Sequence, residues 1–207
     1  MKSLSSKVPV IFLVMGFVAI FNCSKEPPPE KQPTSSTAGS TDLSVVYKAP
    51  AGMGDLKWGD STGKFTELWD PPPWRLTNED EDGNRIGARS LGSIGHVRLS
   101  GPSEYFFYKD RYYNFIARFQ GKSYFMDLSV PLSEKYGKPK EKPLFLLINP
   151  NARVGTEYTW NLEDIVEITL AFNDLKDEGS LSYTYIPTLN ELLKEGKKRA
   201  NKLKDNL

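Results

Sequence analysis

The residues of this chain that could do chemistry are few, and their spacing decides what each is worth. There is one cysteine, Cys23, and one histidine, His96. Nucleophilic triads and most zinc sites need a histidine set beside a nucleophile or further ligands. His96 follows Gly95 in an expected strand, where an imidazole reads as a sheet residue rather than a base. Ser61 and Ser93 lack a G-x-S-x-G setting, so no nucleophile elbow is expected. The run Asn78-Glu79-Asp80-Glu81-Asp82-Gly83-Asn84 gathers oxygen donors, and Asp80, Asp82 and Asn84 have the alternating spacing of a calcium loop. An EF-hand begun at Asp80 would need glycine where Arg85 stands and a bidentate glutamate where Leu91 stands. The run therefore reads first as a solvated acidic turn, with weak calcium binding as the alternative. Gly52-Met53-Gly54 lacks the further glycine and helix of a phosphate-binding loop. The carboxylate pairs Glu163/Asp164 and Asp174/Asp177 fall in expected turns, where charge serves hydration. Nothing here calls for a cofactor.

Cys23 stands apart because of what precedes it. Lys2 and Lys7 form a basic start, Val8 to Phe21 an apolar run, and a polar, proline-rich stretch follows the thiol. A membrane-crossing helix needs about 20 apolar residues; this run is shorter and holds Pro9 and Gly16, which is the pattern of a signal peptide. Ile20-Phe21-Asn22-Cys23 resembles a bacterial lipobox, with Phe21 and Asn22 closer to the relaxed spirochaete type than to the small-residue enterobacterial one. The resemblance implies cleavage before Cys23, fatty (palmitate) chains on the lipoprotein's first mature residue, and a place in the cell envelope at the outer membrane. At about 0.8 kcal/mol per buried methylene, two or three chains anchor a protein without help from its surface. An acylated Cys23 leaves no thiol for a disulfide, catalysis or metal.

With 27 basic and 26 acidic residues the chain is near neutral, and removing residues 1–22 takes away only Lys2 and Lys7. That balance gives no footprint for nucleic acid. Residues 23–50 are rich in Pro, Ser and Thr and read as a disordered linker; about 27 residues of coil reach roughly 25 to 30 Å. A globular domain is expected over 51–193 and a basic helical tail over 194–207.

Within the domain, Leu56-Lys57-Trp58-Gly59 reads as a short strand, and Asp60 or Ser61 as the cap of a brief helix to Leu68, stopped by Asp70-Pro71-Pro72-Pro73. Trp74 to Ala88 is the least regular stretch. His96–Leu99, Glu104–Tyr108 and Tyr112–Phe119 read as strands, the last two joined by the turn Lys109-Asp110-Arg111. Alternation places Tyr113, Phe115, Ala117 and Phe119 on one face. Phe125, Leu128, Leu132 and Tyr136 recur at helical spacing up to Gly137, and Pro131 must kink that helix or begin its last part. Val166–Phe172 and Leu181–Tyr185 are further strands. A last helix begins at Pro187, and its Lys197, Lys198, Arg199, Lys202 and Lys204 suit a C-terminal macrodipole. These cations are either a solvated face or a surface for anionic lipid headgroups. Hairpin-length connections favour antiparallel pairing, so the expected fold class is α+β, mainly an antiparallel sheet with one or two packed helices.

The ordered segments Leu56-Lys57-Trp58-Gly59-Asp60-Ser61, Tyr105 to Tyr113, Leu132 to Pro139, Tyr158-Thr159-Trp160, Ile168 to Phe172 and Gly179 to Tyr183 resemble a group of uncharacterised exported bacterial proteins. That group has W-G-x-S, F-Y-K-x-R, E-K-Y-G-x-P, aromatic-Trp and G-x-L-x-Y segments. The resemblance covers residues 54–190, departs over 69–89, implies a compact α+β domain, and carries over no catalytic residue. Aromatic residues crowd one hairpin, and Tyr105, Phe107, Tyr112, Tyr113 and Phe115 form either a two-sided core contact or a candidate binding face. The reading for function is a non-catalytic, membrane-held binding or envelope-maintenance module with a protein or glycan partner. The alternative is a small hydrolase using a carboxylate pair near the hairpin.

Overall fold

The computed structural model describes residues 47–204 apart from 71 and 147. Cys23, the leader and most of the linker lie outside the described residues. In chain order the elements are β1 (Gly52–Met53), β2 (Leu56–Lys57), α1 (Thr62–Leu68), β3 (Trp74–Leu76), β4 (Asn84–Arg89), β5 (Ser93–Ile94), β6 (Val97–Arg98), β7 (Ser103–Tyr108) and β8 (Arg111–Gln120). They continue with α2 (Lys122–Tyr136), β9 (Lys140–Leu146), β10 (Asn149–Leu162), β11 (Val166–Asn173), β12 (Glu178–Tyr185) and α3 (Ile186–Lys204). The fold is α+β and mostly sheet. One antiparallel sheet runs β3-β4-β7-β8-β12-β11-β10-β9, with small hairpins β1-β2 and β5-β6 beside it.

Short turns set the register. Lys109 and Asp110 both have positive φ (50° and 57°) and close a two-residue hairpin turn whose twist matches its strands, while the β10–β11 turn, with Glu163 and Asp164 also at positive φ (55° and 53°), has three residues between the paired Leu162 and Val166. Along β11 burial alternates residue by residue, so Val166, Ile168, Leu170 and Phe172 all enter the core.

That core fills one face of the sheet. α2 lays Phe125, Leu128, Leu132 and Tyr136 onto it, and α1 inserts Phe65 against Tyr105 and Phe107. Ser61 caps α1 by accepting from the Lys64 N–H. Pro131 sits inside an unbroken α2, which ends where Gly137 turns to φ 80° and donates its N–H to Ser133 O.

The structure departs from the expected boundaries in five places. Tyr47 and Ala49 already pack on the core, so the domain begins ahead of residue 51. Trp74 to Ala88 is not irregular: β3 and β4 form a hairpin at one edge of the sheet, bent around the acidic turn. β9 and the first half of β10, strands with no sequence-based expectation, form the opposite edge. His96 lies between β5 and β6 rather than within a strand. Finally, α3 crosses 193/194 as one continuous helix.

Candidate functional site

The aromatic hairpin is the first place to look, and it is closed. Tyr105, Phe107, Tyr112 and Phe115 are between 0 and 2% exposed and belong to the core cluster. Tyr113 is also buried, but a bulge sets it apart: Phe106 pairs with Asn114 and Phe107 with Tyr112, so Tyr113 is the extra residue. The bulge reverses the alternation at the start of β8, and Tyr112, not Tyr113, shares the core with Phe115, Ala117 and Phe119. The five aromatics are therefore corrected from candidate binding face to buried residues: α1, the β1-β2 segment and the neighbouring strands cover Tyr105, Phe107, Tyr112 and Phe115, and Tyr113 is buried apart from that cluster. Burial pushes the Tyr105 and Tyr113 phenols up to about 12 and Tyr112 upward as well, so these groups stay protonated and neutral.

What covers the hairpin is the segment Trp58 to Thr62. Trp58 stacks on Tyr112 at 4.9 Å and on Tyr185 at 6.0 Å, and its indole N–H donates to Pro50 O. Gly59 N–H donates to Tyr112 O and Tyr112 N–H to Asp60 O. Asp110, in the hairpin turn, accepts from the Thr62 N–H at 3.0 Å and the Thr62 hydroxyl at 2.6 Å. Two of the ordered sequence segments thus meet here, and another two meet at Gly137, whose carbonyl accepts the Trp160 indole N–H at 2.8 Å. Gly137 also has the Tyr47 ring against its Cα, where a side chain would collide. These contacts join parts of the fold rather than assembling reactive groups.

On the opposite face of the hairpin lies a charged seam. Tyr108 follows Phe107 and so points away from the core, where its hydroxyl donates to Glu195 on α3 at 2.7 Å. Lys109 donates to Glu195 at 2.6 Å and to Glu191 at 3.4 Å, and Arg111 to Glu191 at 2.5 Å. Arg199, a turn further along α3, bonds Asp82. The hydrogen bond from Arg111 holds Glu191 below the usual carboxylate range, and the one from Lys109 does the same for Glu195. Lys109 is raised in turn, chiefly by Glu195. Lowered in this way, both glutamates stay ionised near neutral pH.

The acidic turn folds its ligands inward. Asp80 Oδ1 accepts from the backbone of Asp82 and Asn84 at 2.9 and 2.8 Å, and the Asn84 side chain also donates to Asp80. Asp80 and Asn84 are thus bonded to each other within the turn, and Asp82 to α3. Among the described residues no group of three or more His, Cys, Asp or Glu side chains is placed to hold a metal ion. His96 pairs with Asp127 of α2 at 3.2 Å, both exposed.

Two surface features were not read from the sequence. An open groove of about 740 Å³ lies between α2 and the β9–β10 edge, lined by Ser129, Val130, Glu134, Pro139, Glu141 and Tyr158 among others. Val130 is 55% exposed and Met126, one turn before it, 52%. Their four-residue spacing on α2, off the Phe125–Leu128–Leu132 stripe, was the available signal. The β9–β10 hairpin projects past β11, which pairs with β10 only from Gly155 onward, and it exposes Phe145 and Ile148. Edge strand β9 carries Lys140, Glu141, Lys142 and Pro143, residues that discourage pairing with another chain. Among the described residues no helix is long and apolar enough to cross a membrane. Compared with family models, with curated proteins and with solved structures, the chain matches none.

Proposed function

We propose that this chain is an envelope lipoprotein, held in the outer membrane by fatty chains on Cys23 and presenting its domain as a non-catalytic binding or maintenance module. The observation that carries the reading is the position of Cys23, directly after an apolar run of signal-peptide length and before a proline-rich stretch. The resemblance of its ordered segments to a group of exported bacterial proteins points to the same compartment. The binding surface moves from the aromatic hairpin to the α2 groove with Met126 and Val130, where apolar side chains stand in solvent beside a cleft. A protein or glycan partner suits a mixed lining of this kind, with Tyr158 as its aromatic element.

The test is metabolic labelling with an alkyne fatty acid. The wild-type protein is expected to take up label and partition into detergent, whereas Cys23→Ala accumulates as an unlabelled, unprocessed precursor. Normal processing and continued labelling of Cys23→Ala would overturn the proposal.

A further inference from the structure

We infer that the outward face of α3 lies against anionic phospholipid headgroups and so sets the orientation of the domain on its membrane; this rests on the anchoring proposed above. The first observation is how charge is sorted around the helix. The acids of α3, Glu191 and Glu195, are both turned to the sheet, bonded to Lys109, Arg111 and Tyr108. Thr188 is buried on the same side, and Arg199 reaches Asp82 there. At 100° per residue the opposite stripe carries Lys197 and Lys204, with Lys194 toward its edge and Leu193 47% exposed, whereas Lys198 and Lys202 fall on the side of the two glutamates. No carboxylate of α3 falls on that stripe. A stripe of cations with no carboxylate among them is the charge pattern that a negative surface favours. The acidic turn bounds this surface, since Glu79 and Glu81 belong to the turn that Arg199 meets.

The second observation is independent of charge and concerns where the helix lies. The β10–β11 turn receives both ends of the domain: Ala49 N–H donates to the Glu163 carboxylate at 3.3 Å, and Ile186 N–H, at the start of α3, donates to Ile165 O at 2.8 Å. The chain coming from Cys23 therefore reaches the domain at the end of the sheet where α3 is fixed. A tether attached there brings this end, and not the Asp174–Asp177 end, toward the bilayer. Each cation held near an anionic surface favours the contact roughly fivefold, enough for three of them to select one orientation of a domain that is already anchored.

The experiment uses the acylated full-length chain reconstituted in vesicles of phosphatidylcholine with or without phosphatidylglycerol. Because Cys23 is the only native cysteine, a donor dye can be placed on Asn201→Cys beside the stripe, or on Lys176→Cys at the far end, with an acceptor on the lipid headgroups. Energy transfer from position 201 is expected to rise when phosphatidylglycerol is added, to exceed that from 176, and to fall again at high salt. Combined Lys194→Gln, Lys197→Gln and Lys204→Gln should weaken the close approach about a hundredfold, at roughly fivefold per cation. These side chains are exposed, so an unchanged circular dichroism spectrum is expected alongside the loss. Equal transfer from 201 and 176 on retained protein, or no response to phosphatidylglycerol, would overturn the inference and leave the anchor standing. Release of the wild-type chain from both kinds of vesicle by alkaline wash would overturn the anchor, and this inference with it.

Discussion

The two faces of the large sheet are held by different forces. On one face Phe65, Tyr105, Phe107, Tyr112 and Phe115 are at most 2% exposed, and rings meet at centroid distances of 5.2 to 5.9 Å in tilted or edge-on pairs. On the other, α3 is fixed by Glu191, Glu195 and Arg199 through partners that remain partly open to water. Packing of the first kind carries no charge near neutral pH and is not screened by added ions, whereas an ionic seam answers to both salt and pH. The core face therefore defines the fold, and the α3 face is the part whose attachment the surroundings can tune.

The comparison breaks outright if the aromatic face is not the main source of stability. Phe115→Ala removes a fully buried ring from the centre of the hairpin and is expected to cost about 3–5 kcal/mol, read as a lower urea midpoint at unchanged slope. A loss below about 1 kcal/mol would mean that the site collapses around the deletion and that the cluster is loosely packed. Overfilling probes the same face from the other direction. A Cβ on Gly179 would meet the Phe119 ring at 2.2 Å, so Gly179→Ala should destabilise by about 1–3 kcal/mol although alanine is the better residue for a strand.

A smaller effect tests the segment that closes the hairpin. Ser61→Ala removes the side-chain acceptor of the Lys64 N–H at the start of α1, and about 1 kcal/mol of stability should go with it. Ser61→Asp restores an acceptor at the same place and is expected to recover most of the loss in the same melt. If both variants behave alike, the cap adds nothing and Asp110 alone holds the helix start through Thr62.

What the sequence let one read follows the same division. α2, β11, β12 and the turn after β7 were legible because one side of each is buried, and burial of one side writes a period into the residue types. Lys140 to Leu146 carries no such period: its residues stand mostly in solvent at the edge, and the strand exists through backbone pairing with β10. The β3–β4 hairpin hid for a related reason, its burial being intermediate along nearly its whole length. Tyr113 was misplaced because a bulge shifts alternation by one residue without altering composition. The crowding of aromatics was plain, but whether a ring is covered depends on Trp58 and Phe65, distant in sequence. The partners of Glu191 and Glu195 lie 80 to 87 residues away, beyond the reach of any local pattern.

The smallest effect is the one that sharpens the contrast most, since it should move α3 and spare the core. Glu191 and Glu195 sit below their ordinary value of 4.5 in the folded protein, so they favour docking above that value and lose their contribution as pH falls through the lowered folded values. Lys109 is shifted the other way from 10.5, so its contribution is complete below that value and fades only in strong alkali. Attachment of α3 is thus expected to be flat through neutral pH and to weaken in acid, and because these side chains are well exposed, added salt should weaken it as well. Amide hydrogen exchange resolved by segment reads both faces at once. Glu195→Gln at neutral pH should quicken exchange in the second half of α3 several-fold while β11 keeps its protection. Equal quickening in α3 and β11 would show that the seam and the core open as one unit, and the division between the two faces would have to be given up.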